Sequence, residues 1–175
     1  MKQSAKAWVV AGLHVAMIAS LGAKMLYDRG TRPRVWAHVA PYDPDLPIRG
    51  RYVSLQIEVE APQIRVPAKG DSEFSFMRWN LIPVALSKEN DRLIARRLEH
   101  SDQHIVFREV RPGHTAPMLY QRLAYFIPEH AADPSLRPAD EELWVEVTLP
   151  KNGPPRPIRL AVKKKDGTFT PLPLN

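Results

Sequence analysis

The sequence predicts a mainly β protein: one N-terminal transmembrane helix followed by a single β-rich domain. That domain is expected to be a curled sheet or partly open barrel with at most a short helix. Three observations carry this expectation. Residues 7–23 contain no side chain with a fixed charge. The 175 residues include 18 prolines, about twice the usual share; proline fixes φ and removes a backbone donor, which disfavours a bundle of long helices. Period-two alternation of apolar and polar residues recurs through the rest of the chain. We divide the chain into a membrane anchor with basic flanks at 1–29, a linker at 30–34 and a β-rich soluble domain at 35–175.

The polar exceptions within residues 7–23 are His14 and Ser20. With Met25, Leu26 and Tyr27 the run approaches the ~20 residues that cross a hydrocarbon core of about 30 Å as a helix. Lys2 and Lys6 precede it, Lys24, Arg29, Arg32 and Arg34 follow it, and Trp8 and Tyr27 stand at its ends, where amphipathic rings favour the bilayer interface. Ala11, Gly12, Ala16, Ala19, Gly22 and Ala23 would let a second helix approach closely, although an Ala/Gly-rich composition supplies such residues anyway. A cleaved signal peptide is the alternative, but the run is long for one, and Leu21-Gly22-Ala23 places a bulky residue at the exit. A buried soluble helix is the third possibility; we read a retained anchor. His14 near mid-span is either a functional intramembrane group or, the reading we favour, a neutral ring bonded to a partner helix or tolerated there.

The net charge is +6, and Lys2, Lys6, Lys24 and Arg29 against Asp28 place half of it beside the apolar run. The remainder is spread with both signs interleaved. No basic stripe or base-stacking motif accompanies it, so nucleic acid is not an expected partner. The absence of cysteine rules out a disulfide framework and thiolate metal sites, and leaves the compartment open.

After a linker around Thr31-Arg32-Pro33-Arg34, Val35, Ala37 and Val39 alternate with Trp36 and His38, a first strand. Pro41, Pro44 and Pro47 make residues 42–48 an ordered non-helical loop. Gly50 suits a corner that needs φ > 0. Beyond it Val53, Leu55, Ile57 and Val59 share one face, and Tyr52, Ser54, Gln56, Glu58 and Glu60 the other.

The stretch Gly50-Arg51-Tyr52-Val53-Ser54-Leu55-Gln56-Ile57 resembles the motif of the GDYXXLXY proteins, an uncharacterised bacterial family with an N-terminal hydrophobic segment and a β-rich domain. Residues 42–49 are similar to that family's approach to the motif, and Leu123-Ala124-Tyr125-Phe126-Ile127-Pro128-Glu129 to a second segment. Gly50, Tyr52 and Leu55 match; the motif's Asp is Arg51 here and its final Tyr is Ile57. Any property resting on that Asp should therefore be missing. The resemblance implies a bacterial inner-membrane location and a multi-pass membrane protein as partner, beside the lipid bilayer itself. Distal positive charges alone would keep the domain inside, but long domains cross largely regardless of charge. We place the domain in the periplasm.

Further on, residues 68–71 read as a turn, followed by Phe74, Phe76 and Trp79. Residues 81–86 and 93–98 flank Lys88-Glu89-Asn90-Asp91 as a hairpin, although the second limb also fits a short amphipathic helix. Residues 105–110 form a strand and 118–127 an aromatic strand. Residues 138–142 suit one helical turn, with Pro138 first and acids after it. Residues 143–149 and 158–162 are strands, with turns at Asn152-Gly153 and Asp166-Gly167.

Chemistry is sparse. His100 and His104 around Asp102 could share a face only on a helix, and the segment reads as a loop, so no metal site is expected. There is no Gly-x-Ser-x-Gly elbow, and Ser87 and Lys88 would point to opposite faces of a strand. A signal peptidase would need a serine just before its Gly-anchored strand, and residues 41–49 have none. Lys163-Lys164-Lys165 fits a solvated hairpin edge better than a headgroup contact. We expect no catalytic residues and no cofactor. Gly50, Tyr52 and Leu55 should be architectural, in a non-catalytic membrane-anchored accessory protein of the bacterial envelope. The alternative is an envelope hydrolase or ligand-binding enzyme whose site assembles from scattered residues.

Overall fold

The computed structural model describes residues 2–40, 52–65, 81–111, 113–128, 131, 134, 138, 140–151 and 153–173. The chain divides into two compact units, Met1–Arg32 and Pro33–Asn175.

The first unit is one helix, α1 (Lys2–Thr31). Alanine, leucine and methionine favour it, and no proline interrupts it. Its stretch Lys6–Thr31 is long and apolar enough to cross a membrane. Consecutive large residues such as Trp8, Val9 and Val10, or Met25, Leu26 and Tyr27, are all exposed, so the apolar surface runs round the whole helix. Such a helix needs a nonpolar surrounding on every side. The two polar side chains of the run turn inward: His14 Nδ1 donates to the Val10 carbonyl and Ser20 Oγ to that of Met17, each at 2.8 Å. Polar groups satisfied within their own helix are what a bilayer demands, and His14 therefore needs no partner helix for that nitrogen. At the C-terminal end Thr31 Oγ1 donates to the Tyr27 carbonyl and Arg32 pairs with Asp28.

The second unit is built from two antiparallel sheets. One has the order β10-β9-β8-β1-β2-β7, comprising β1 (Arg34–Ala40), β2 (Tyr52–Ile57), β7 (Leu123–Phe126), β8 (Glu141–Thr148), β9 (Arg156–Lys164) and β10 (Phe169–Pro171). The other has the order β4-β3-β5-β6, from β3 (Ile82–Glu89), β4 (Arg92–Arg97), β5 (His104–Arg111) and β6 (His114–Leu119). Inward residues of both sheets, among them Val35, Leu55, Phe107, Val145 and Leu160, meet in one core. A smaller cluster of Ala40, Val106, Ala116 and Met118 lies apart from it.

The alternation read from Val53 to Val59 holds: all four apolar residues are buried. What the chain does next is less ordinary. After β2 it bridges to the second sheet, Glu58 pairing with Met118 of β6 and Glu60 with Ile94 of β4. One continuous segment thus stitches the two sheets together, and they do not close into a barrel. Pro117 fits in β6 because a residue's N–H and C=O point to the same side of a strand. Its carbonyl accepts from Val59 N–H, so its missing donor faces that short bridge rather than the ladder with β5.

The hairpin reading of residues 81–98 is correct. The two-residue turn Asn90-Asp91 has φ of 48° and 60°, the primed geometry that matches strand twist. Two expectations are corrected. Residues 118–127 are not one strand: β6 ends at Leu119, residues 120–122 turn, and β7 belongs to the other sheet. The helical turn expected at 138–142 reduces to a single bond from Glu141 N–H to the Pro138 carbonyl at 3.1 Å, because Glu141 and Glu142 already open β8 opposite Lys164 and Lys163. Opposite charges directly across a ladder favour the strand.

Candidate functional site

Of the three motif residues, Gly50 lies outside the described residues, as do Arg51, the loop at 42–48 and the segment with Phe74, Phe76 and Trp79. Tyr52 opens β2 on the outward face, half-buried, its ring 6.0 Å from that of Phe126, its neighbour in register on β7. Leu55 points the other way, into the core, and is 0% exposed. Tyr52 and Leu55 therefore do not converge on a point. His100 and His104 gather no further ligand: among the described residues, no three His, Asp or Glu side chains are placed to hold a metal ion. Lys163 and Lys164 are cross-strand partners of acids.

A different constellation comes together on the outward face of the six-stranded sheet. In β1, the positions that alternate with buried Val35, Ala37 and Val39 are Trp36 and His38. Their partners in β8 are Glu146 and Trp144. On the β9 side, Arg159 lies opposite Glu146 and Lys163 opposite Glu142, and Phe169 of β10 lies opposite Lys163. Rings therefore occupy positions that a half-solvated sheet usually gives to polar side chains. The Trp36 and Phe169 rings meet edge to face at 4.7 Å, Trp144 lies 6.3 Å from Phe169, and His38 is 5.7 Å from Trp144. The Arg159 guanidinium lies 5.3 Å from the Trp36 ring centre, and the Lys163 ammonium 5.2 Å from that of Trp144, within reach of cation–π attraction.

Where β2 leaves the sheet, His38 Nδ1 donates to Glu58 Oε2 at 2.7 Å. Backbone pairing fixes the approach, because Glu58 N–H donates to the His38 carbonyl. That imidazole hydrogen bond is the main cause holding the Glu58 carboxyl below its ordinary value; partial burial opposes it, and the positive fields of His38, His114 and Arg111 assist. Beside the pair runs a groove of about 1370 Å³, walled by Trp36, His38, Trp144, Glu58, Glu142 and Lys163 among others. Its charged walls are largely paired: Arg92 with Glu60 at 3.1 Å, Arg111 with Glu142 at 3.8 Å.

Chemically the His38–Glu58 pair can orient a water or bind a hydroxyl. Two serine hydroxyls elsewhere are committed to other bonds, Ser87 to Glu89 and Ser101 to the Val84 carbonyl. Sequence alternation identified the outward positions of Trp36, His38 and Trp144. It could not show that Glu58 and residue 144 would lie beside residue 38, because that depends on register between distant strands.

Fold and site together define a two-sheet β domain that follows one apolar helix and carries an aromatic, charge-paired groove. No protein-family model, no curated protein and no solved structure matches the chain.

Proposed function

We propose that this is a non-catalytic, membrane-anchored accessory protein of the bacterial envelope, its helix crossing the inner membrane once and its β domain in the periplasm. The observation that carries the reading is α1: an apolar stretch at Lys6–Thr31 with no buried share, joined to a β unit that has its own core. Inward-bonded His14 and Ser20 suit the same setting. The likeness of Gly50, Tyr52 and Leu55 to the GDYXXLXY motif supports the envelope assignment and a multi-pass membrane protein as partner.

Alkaline carbonate extraction of membranes tests the anchor, and protease accessibility in spheroplasts tests the side. Retention in the pellet with digestion from outside is the expected result; full-length protein in the soluble fraction, or a processed form lacking the helix, sinks it. Co-purification in mild detergent should bring down a stoichiometric membrane protein that is lost on deleting residues 2–29.

A second reading is favoured by one feature, the His38–Glu58 pair beside a groove. It is a hydrolase in which His38 activates water. Hydrolysis of envelope substrates that disappears in a folded His38→Gln variant would establish it over the first.

A further inference from the structure

We propose that the Trp36–Trp144 end of the groove binds a neutral oligosaccharide. This goes beyond the anchor reading and does not depend on it.

Trp36, Trp144 and Phe169 lie on the outward face of the sheet, and the two tryptophans also wall the groove. Their mutual edge contacts at 4.7 and 6.3 Å bury part of each ring, but the π faces of both tryptophans draw cations, Arg159 and Lys163. A face that attracts a cation through its quadrupole attracts any positively polarised surface. The C–H face of a pyranose ring is such a surface, flat and uncharged.

The charges decide between ligand classes. Six carboxylates and five Lys or Arg side chains line the groove, and among them Glu58 is tied to His38 at 2.7 Å, Arg92 to Glu60 and Arg111 to Glu142. Walls of paired opposite charges generate little net field, so they neither steer nor hold a polyanion or a polycation. Paired carboxylates and cations still have spare lone pairs and N–H groups, which suit hydroxyls that both donate and accept. Aromatic walls bordered by such pairs match the two surfaces of a sugar. The groove's ~1370 Å³ exceeds the usual ~300–1,000 Å³ of a small-molecule pocket, which favours a chain of several sugars over one.

The test is isothermal titration of the full chain in a detergent without a sugar headgroup. Probes are the tetrasaccharides of N-acetylglucosamine and of glucose, with single-stranded oligothymidylate at low salt as polyanion control. At least one tetrasaccharide should bind saturably and the polyanion should not. Trp144→Ala, with unchanged melting temperature, should weaken binding by about tenfold, as expected for losing one stacked ring, and Trp144→Phe should restore most of it. Lys163→Ala should hold or tighten affinity, because it clears a cation from the Trp144 face; it also serves if Trp144→Ala fails to fold. The proposal is overturned if neither tetrasaccharide binds at millimolar concentration, if the polyanion binds more tightly, or if folded Trp144→Ala binds as tightly as the unaltered chain. It is equally overturned if Lys163→Ala abolishes binding. Membrane extraction of the same protein reads the anchor separately.

Discussion

Leu55 offers the sharpest check on the architectural reading of the motif. Its side chain is 0% exposed, in register with Leu123, and packed in the core shared by both sheets. Leu55→Ala removes buried carbons where strands on both sides are fixed by ladders, so the site cannot collapse far. Comparable substitutions cost about 3 kcal/mol. At about 3 °C per kcal/mol for a domain of this size, the melting temperature should fall by about 9 °C. Tyr52→Ala supplies the contrast. Its main described contact is the Phe126 ring, itself 76% exposed, and the expected loss is about 1 kcal/mol. Thermal unfolding of the full chain in detergent, followed by near-ultraviolet circular dichroism, reads the two sheets while α1 contributes little signal. Equal losses for the two variants, or a larger one for Tyr52→Ala, would show that the outward face of β2 carries the structure and would refute the reasoning.

The Glu58 carboxyl is held below its ordinary value, so its share of stability is fully present above the unfolded-state value and is lost as pH falls through the lower folded-state value. Glu58→Gln should flatten the stability–pH curve in that acid window when urea midpoints are compared across it. Asp91 has φ of 60°; Asp91→Val should cost about 1–2 kcal/mol in urea unfolding, whereas Asp91→Gly should cost nothing. In α1, Ile18→Lys places a cation near mid-span at a cost of about 2.5–3.5 kcal/mol, and should move protein from the carbonate-resistant pellet to the supernatant or to aggregates.

Much of this architecture was legible in the sequence because its signals are local. The helix followed from an uncharged run, β2 from strict alternation, and the tight turns from Asn90-Asp91 and Gly167, which has φ of 86°. Where signals are non-local the reading failed. No glycine or proline marks the bend at residues 120–122, and Pro117 hides β6 unless its bridging neighbour is known. Glu141 and Glu142 look like the first turn of a helix until Lys164 and Lys163 are placed opposite them. Gln56 falls on the polar side by alternation, yet it is 3% exposed. The site shows the same divide. The outward rings were visible one strand at a time, but the His38–Glu58 contact and the proximity of Trp144 arise only once the sheets assemble.

The order in which the chain emerges has a consequence for how this domain must fold. Strand β1 (Arg34–Ala40) appears first, but one of its ladder partners, β8 (Glu141–Thr148), appears near the end. Pairing across so much intervening chain is slow, because loop closure precedes any reward from contacts. Until β8 and β9 arrive, the inward residues of β1 and β2 have only part of their cover. The bridge at Glu58 and Glu60 also ties the first sheet's completion to that of the second. During synthesis the apolar strands just beyond α1 must therefore wait, exposed and open to wrong pairings, and the domain becomes protected only when its last quarter is delivered.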